Sequence, residues 1–313
     1  MGRTERSPGG RHLAAALAVV ALGLTASGAA GASDARSTPA PATPGTYTAF
    51  SDPQPVTIEG LTGSAMEPFI SPDGKDLLFN TSNVAPDIPA LQYATLTPAG
   101  TFTDRGAIVG ANKTGVLSGT PALDQQGTLY WISTRSYSRT LSTVYSGHFA
   151  SGAVTGVQRV AGVTASGPGV VDFDVGVSAD GAALYVSVGH FDGGSPTGAH
   201  LVLYDRAGAG FVADPDSAAL LGAVNRTATL IYAAAVSDNG RELFFTGADP
   251  SSGTPAIYRA VRDSPSDAFG HVQRLGAITG FAEAPSISTD GTTLYYHLLV
   301  GSTYQIWTVT RPR

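Results

Sequence analysis

SPDGKDLLF, residues 71–79, joins a Pro-Asp-Gly turn to a short apolar run, and the phrase returns four times. The later copies are DQQGTLYWI (124–132), SADGAALYV (178–186), SDNGRELFF (237–245) and STDGTTLYY (288–296). Their turn glycines, Gly74, Gly127, Gly181, Gly240 and Gly291, recur at intervals of 53, 54, 59 and 51 residues. A period near fifty marks a repeat architecture. In Ser71-Pro72-Asp73-Gly74, proline presets the backbone at the second position and glycine accepts at the fourth what a side chain resists, which suits a type I turn. An apolar segment precedes each glycine (PFIS, PALD, VGVS, AAVS, PSIS) and an apolar strand follows it, so each phrase predicts a β-hairpin.

Two further strands complete each unit. The third carries an apolar residue followed by an aromatic at Val144-Tyr145, Leu203-Tyr204, Ile257-Tyr258 and Ile306-Trp307, while Gln92-Tyr93 keeps only the aromatic. The fourth begins at Phe102, near Val154, at Phe211 and at Phe269. Four strands in each of five units predict an all-β, five-bladed β-propeller of four-stranded antiparallel blades, with six blades as the alternative. The last unit stops at its third strand, YQIWTVTRPR, whereas AFSDPQPVTIEG (49–60) matches TFTDRGAIVG (101–110) and aligns Phe50 and Asp52 with Phe102 and Asp104. The N-terminal segment is therefore expected to complete the last blade and cover sheet edges that would otherwise invite aggregation.

The phrase S-x-D-G-x-x-L-Y/F, preceded by E/D-P-x-I, resembles the WD40-like repeat of TolB-type β-propellers across residues 47–313. Gln125-Gln126 departs from that pattern in the second unit, and Asp238-Asn239 shifts the acid in the fourth. The resemblance implies a propeller. It does not imply TolB's role, because the additional N-terminal domain of TolB has no counterpart in this pattern, and fold alone does not carry function. No Trp-Asp pair of WD40 proper occurs, and no sialidase box with Trp closing the turn.

Ahead of the repeats, Arg3, Arg6 and Arg11 precede an apolar run from Leu13 to Leu24, and Ala30-Gly31-Ala32 offers a small-x-small cleavage site. This reads as a signal peptide over 1–32, cut after Ala32, and the run is shorter than the ~20 residues that span a bilayer. No lipid-anchoring cysteine stands at the cleavage site. Residues 33–46, SDARSTPAPATPGT, read as a disordered spacer, which leaves 47–313 as one propeller domain, secreted and monomeric. With no cysteine in the chain, disulfides, thiolate metal sites and Cys nucleophiles are excluded. The formal charge of −6 becomes −8 without the leader, which argues against nucleic acid and anionic membranes as partners.

In a propeller the first strand of each blade lines the channel. Seven residues before each turn glycine stand Glu67, Thr120, Asp174, Ala233 and Ala284, with Glu283 and Asp172 close by. Glu67, Asp172, Asp174 and Glu283 are the candidate ligand-binding residues of a channel mouth. Such oxygens suit a hard cation, so a structural Ca2+ is one reading; paired carboxyls also suit glycoside hydrolysis; acids before proline are otherwise part of the repeat's own signature. Asp73, Asp180 and Asp290 recur in the turns and read as turn chemistry. His148, His190, His200, His271 and His297 form no close ligand pair, and the glycine-rich FDGGSPTGA between His190 and His200 reads as a flexible connection. Neither a nucleophile elbow nor a phosphate-binding loop is present, and no cofactor is implied. The sequence thus points to a secreted, non-catalytic propeller that binds an envelope protein, peptide or glycan through loops around its channel. A glycan-active hydrolase or lyase acting through Glu67, Asp174 and Glu283 is the competing expectation.

Overall fold

The computed structural model describes residues 48–192, 195–248 and 254–313, so the expected leader (1–32) and spacer (33–46) lie outside the described residues. Among the described residues no helix is long and apolar enough to cross a membrane. The chain is all-β, and strands pair chiefly with their sequence neighbours. The first antiparallel unit runs through Met66–Ile70, Asp76–Asn80, Leu91–Leu96 and Phe102–Ala107, with Ile58–Glu59 parallel on its outer edge. The second contains Ser118–Leu123, Thr128–Ser133, Val144–Ala150 and Ala153–Arg159. Val170–Val177, Ala183–Asp192, Ser195–Ala207 and Gly210–Ala213 make the third. Leu230–Val236, Glu242–Ala248, Ala256–Val261 and Gly270–Arg274 follow, touching the third unit through one parallel bridge, Ala199 to Leu230. In the last sheet, Ala282–Ile287, Thr293–Val300 and Thr303–Thr310 are joined by Ser51–Pro55, which lies antiparallel with Gln54 opposite Thr308 and Pro55 opposite Trp307.

The recurring turn is built by side chains that take over backbone donors. Ser71 Oγ accepts from Asp76 N at 2.9 Å, while Asp73 Oδ1 accepts from Ser71 Oγ and from Lys75 N. Ser178 with Asp180, and Ser288 with Asp290, repeat the arrangement. In the fourth unit Asn239 does the acid's work beside Ser237, and in the second Asp124 replaces both residues by accepting from Gln126 N and Thr128 N. All five turn glycines have positive φ, from 68° to 80°, where a Cβ is disfavoured.

Each first strand carries one extra residue against its partner. Between Met66–Asn80 and Phe69–Leu78, for example, the first strand advances three residues while the second advances two. The same bulge lies at 119–122, 232–235 and 283–286, and Glu67, Thr120, Ala233 and Ala284 there adopt left-handed φ of 52–54°. A bulge leaves a residue out of the ladder. That is why Pro68, Pro121 and Pro285, which lack an N–H, are tolerated in mid-strand.

An arginine at or just past the end of the third strand braces three of the units. Arg206, Arg262 and Arg311 each donate Nε to the carbonyl of their own turn glycine and lie over the ring of Phe211, Phe269 and Phe50 at 4.7, 4.1 and 4.5 Å. Phe50 thus fills the place that fourth-strand phenylalanines fill elsewhere, although it comes from the opposite end of the chain. It also packs edge-on against Phe244. Arg311 reaches further and clamps the buried Glu242 carboxylate with both Nη groups, and Arg259 pairs with that carboxylate from the side. Trp131 and Tyr204 are buried as expected, while Trp307 is half-buried. The stretch between His190 and His200 extends a long hairpin, His190 opposite Gly198, although its residues 193 and 194 lie outside the described residues.

Truncating Phe50 to Ala removes a buried ring and the stacking surface of Arg311. Chemical denaturation is expected to show a loss of about 3–4 kcal/mol, as for other buried aromatics; a loss under ~1 kcal/mol would show that the N-terminal strand contributes little.

Candidate functional site

The bulged strands place their left-handed residues around one pocket. Glu67, Thr120, Asp174, Ala233 and Ala284, the five positions found by counting back from the turn glycines, all line it. Its volume is about 70 Å³, room for a few water molecules. A second chamber of about 30 Å³ shares Glu67, Thr120 and Asp174 with it and is walled by Asn83, Phe173 and Tyr232. The two acids therefore stand where the two spaces meet.

A left-handed residue turns its backbone N–H out of the ladder, and that donor needs a partner. Four units supply one from the second strand of the preceding unit. Asn80 Oδ1 accepts from Thr120 N at 3.0 Å, Ser187 Oγ from Ala233 N at 3.2 Å, Thr246 Oγ1 from Ala284 N at 2.9 Å, and His297 Nδ1 from Glu67 N at 3.0 Å. Every one of these partners is six residues past its turn glycine and is fully or almost fully buried. The last bond runs from the final unit to the first. At the remaining junction Ser133 occupies the equivalent place but accepts from Arg135 Nε, and Asp174 is not left-handed. There the extra residue falls one place earlier, at Phe173.

The bond from Glu67 N fixes the chemistry of His297. Because Nδ1 accepts, the ring proton sits on Nε2, which donates to Glu283 Oε2 at 3.1 Å. Tyr232 OH donates to the other oxygen of the same carboxyl. Glu283 is thus spoken for on both oxygens and is 2% exposed. Asp174 differs: it is 6% exposed, and apart from the N–H of Val175 nothing among the described residues donates to its carboxyl. Among the described residues Glu67 accepts only a long bond, 3.4 Å, from Asn83 Nδ2.

Burial dominates the electrostatics of the pocket. It pushes Glu67 from 4.5 to about 8, helped by Asp174 and Glu283. Asp174 rises from 3.8 to about 7, again mainly through burial and further through Glu283, with the Val175 N–H opposing. Tyr232 is held well above its ordinary value by burial and by the neighbouring Glu283.

The structure thus brings Glu67, Asp174 and Glu283 into one electrostatic neighbourhood and leaves Asp172 out of both chambers. Asp172 is buried, its Oδ2 has no hydrogen-bond partner among the described residues, and burial raises it to about 7 beside Tyr137 and Tyr204. Two residues apart on a regular strand, Asp172 and Asp174 would share a face; the extra residue at Phe173 breaks that parity. Sequence reasoning missed His297, Tyr232 and Asn83 as parts of the site. A signal existed for the first: a polar residue recurs six places after every turn glycine, following an apolar run. Among the described residues no three His, Asp or Glu side chains stand close enough together to hold a metal ion.

No protein-family model matches the chain, and no curated protein matches it in sequence. Among solved structures it is similar to one described as a glycoside hydrolase, at 10% identity over 84% of this chain and 92% of that one, with a TM-score of 0.56. It is also similar to a family 117 glycoside hydrolase from the marine bacterium Zobellia galactanivorans, at 12% identity over 83% and 90% of the two chains, with a TM-score of 0.52. TolB from Acinetobacter baumannii matches at 14% identity over 80% of this chain, with a TM-score of 0.45. The chain spans about half, 55%, of that TolB's length. The fold is a β-propeller.

Raised carboxyls make stability depend on pH with a definite sign. Folded Glu67, Asp174 and Asp172 keep protons that the unfolded chain releases near 4, so their contribution is complete below that pH and is lost as pH rises through 7 to 8. Thermal unfolding is expected to show Tm falling between pH 5 and 8.5, and Asp174→Asn is expected to flatten that fall. A Tm that climbs steadily over the range contradicts the assignment.

Proposed function

We propose that this chain is a secreted, non-catalytic, five-bladed β-propeller, closed by Ser51–Pro55 on Thr303–Thr310, that binds an envelope protein, peptide or glycan at the mouth of its central channel. The observation that carries the reading is the division of labour among the three central carboxyls. Glu283 is consumed by Tyr232 and His297 inside the wall, whereas Asp174 and Glu67 face the pocket with oxygens to spare. Glycoside hydrolysis needs an acid and a nucleophile or base flanking a sugar. A carboxyl sealed at 2% exposure with both oxygens engaged does not meet that need. Five sheet units with four of five junctions capped by a buried polar side chain support the ring, as does the bond between His297 and Glu67. The likeness to glycoside hydrolases is one of fold and adds no activity.

Immobilised protein is expected to retain a component of culture envelopes or a member of a glycan panel. Gln125→Trp, which places a bulky ring at the exposed mouth, is expected to reduce that retention at least about tenfold. The same panel is expected to yield no new reducing ends, and EDTA or Ca2+ is expected to leave Tm unchanged. Turnover abolished by Glu67→Gln would establish the hydrolase instead, and a Ca2+-dependent rise in Tm would return the acids to a structural cation.

A further inference from the structure

The pocket has a polarity that selects its occupant. Its walls are apolar and close: Pro68, Pro121, Val175, Ala234, Pro285 and Ile287 face inward from all five first strands. Its inner end is polar, with Glu67 and Asp174 beside Thr120. Thr120 Oγ1 and, in the adjoining chamber, Asn83 Oδ1 are buried without a hydrogen-bond partner among the described residues. Lysine, arginine and histidine are absent from the residues lining either chamber. At the outer end Asp238 is shared with a neighbouring groove of about 510 Å³ whose rim adds Asp180, Asp205, Asp214 and Asp216 against a single Arg262.

We propose that the pocket receives an aliphatic primary ammonium group, presented as the lysine side chain of a basic peptide, with the ammonium seated on Asp174 and Glu67 and the methylene stem against the proline and alanine wall. The inference rests on the channel-binding reading above and names its ligand class. Size permits a slim occupant, since the pocket is about 70 Å³ and a lysine side chain is a single unbranched chain. Shape and charge fit together, because lysine carries a compact charge with three donors on a flexible apolar stem. Asp174, Glu67 and the orphaned Thr120 hydroxyl offer three acceptors at one place. A bare hydrated cation would gain nothing from the apolar wall, and an alcohol would leave the carboxyls uncompensated. The acidic groove at the mouth complements further basic residues of the same peptide.

Proton release accompanies this binding. Glu67 faces His297 and Glu283 from the last unit, Asp174 from the third, Tyr232 from the fourth, Asn83 from its own unit and the nearby Tyr304. Protons are held on Glu67 and Asp174 up to about 8 and about 7 by burial, and a neighbouring ammonium favours their ionised forms. Affinity therefore rises with pH from 6 to 8.5, while the amine, with an ordinary value near ~10.4, keeps its charge.

The test is calorimetric titration of the secreted chain with n-butylammonium chloride and with Nα-acetyl-lysine amide, against n-butanol, tetramethylammonium and Ca2+. Saturable binding by both primary ammonium probes is expected, tightening between pH 6 and 8.5 by up to about tenfold per pH unit for each proton released and weakening about tenfold in Asp174→Asn. Ala235→Leu, which narrows the shaft without touching the carboxyls, is expected to block both probes, so loss through misfolding of the Asp174 variant is distinguishable. Equal binding of n-butanol, preference for Ca2+, or no heat from either ammonium probe overturns the proposal. If envelope material is still retained by immobilised protein when the probes fail, this inference falls and the binding reading stands. Ammonium binding without retention supports the pocket while removing the envelope partner.

Discussion

The structure depends on a left-handed residue in mid-strand and the buried polar side chain that satisfies its N–H. A non-glycine residue at φ near +53° is strained, and its amide faces away from its own sheet. A sheet standing alone would have to hydrate or orphan that donor. Here the partner comes from the neighbouring unit, so four of the five units complete a defect in the next. Hydrophobic packing between sheets is directionless; these bonds set which sheet meets which strand and at what height.

The same device builds the pocket. Extra residues in the first strands bring Glu67, Thr120, Ala233 and Ala284 to one level, and the bulges allow the prolines that wall the space. At one junction the capping position carries His297 instead of Asn, Ser or Thr, and its second nitrogen binds Glu283. The acid beside it is thereby locked into the wall, leaving Asp174 and Glu67 as the groups that face the open space. Desolvation of those two is tolerated because both can hold a proton near neutrality.

Most of the scaffold was legible in the sequence because it is written in short-range chemistry. Ser71, Asp73 and Gly74 make their turn among themselves, and each copy does likewise, so spacing alone located hairpins and inner strands. Phe50 announced its place by resembling Phe102, and it does take a fourth-strand role over Arg311. What resisted reading was non-local. Nothing in the order of Asp172, Phe173 and Asp174 says that the extra residue falls at 173 and sends the two acids apart. His297 looked solitary because its partners, Glu67 and Glu283, lie 230 and 14 residues away. The stretch from His190 to His200 looked like loop because its glycines masked a register that only pairing across the hairpin reveals.

The interlocking of units through bulge amides is tested most directly by residue-resolved hydrogen exchange of the native protein. The amides of Glu67, Thr120, Ala233 and Ala284 should exchange as slowly as the central strands, opening only with global unfolding. Exchange of these four on the timescale of surface turns would contradict the account, since the bonds said to join neighbouring sheets would then be absent in solution.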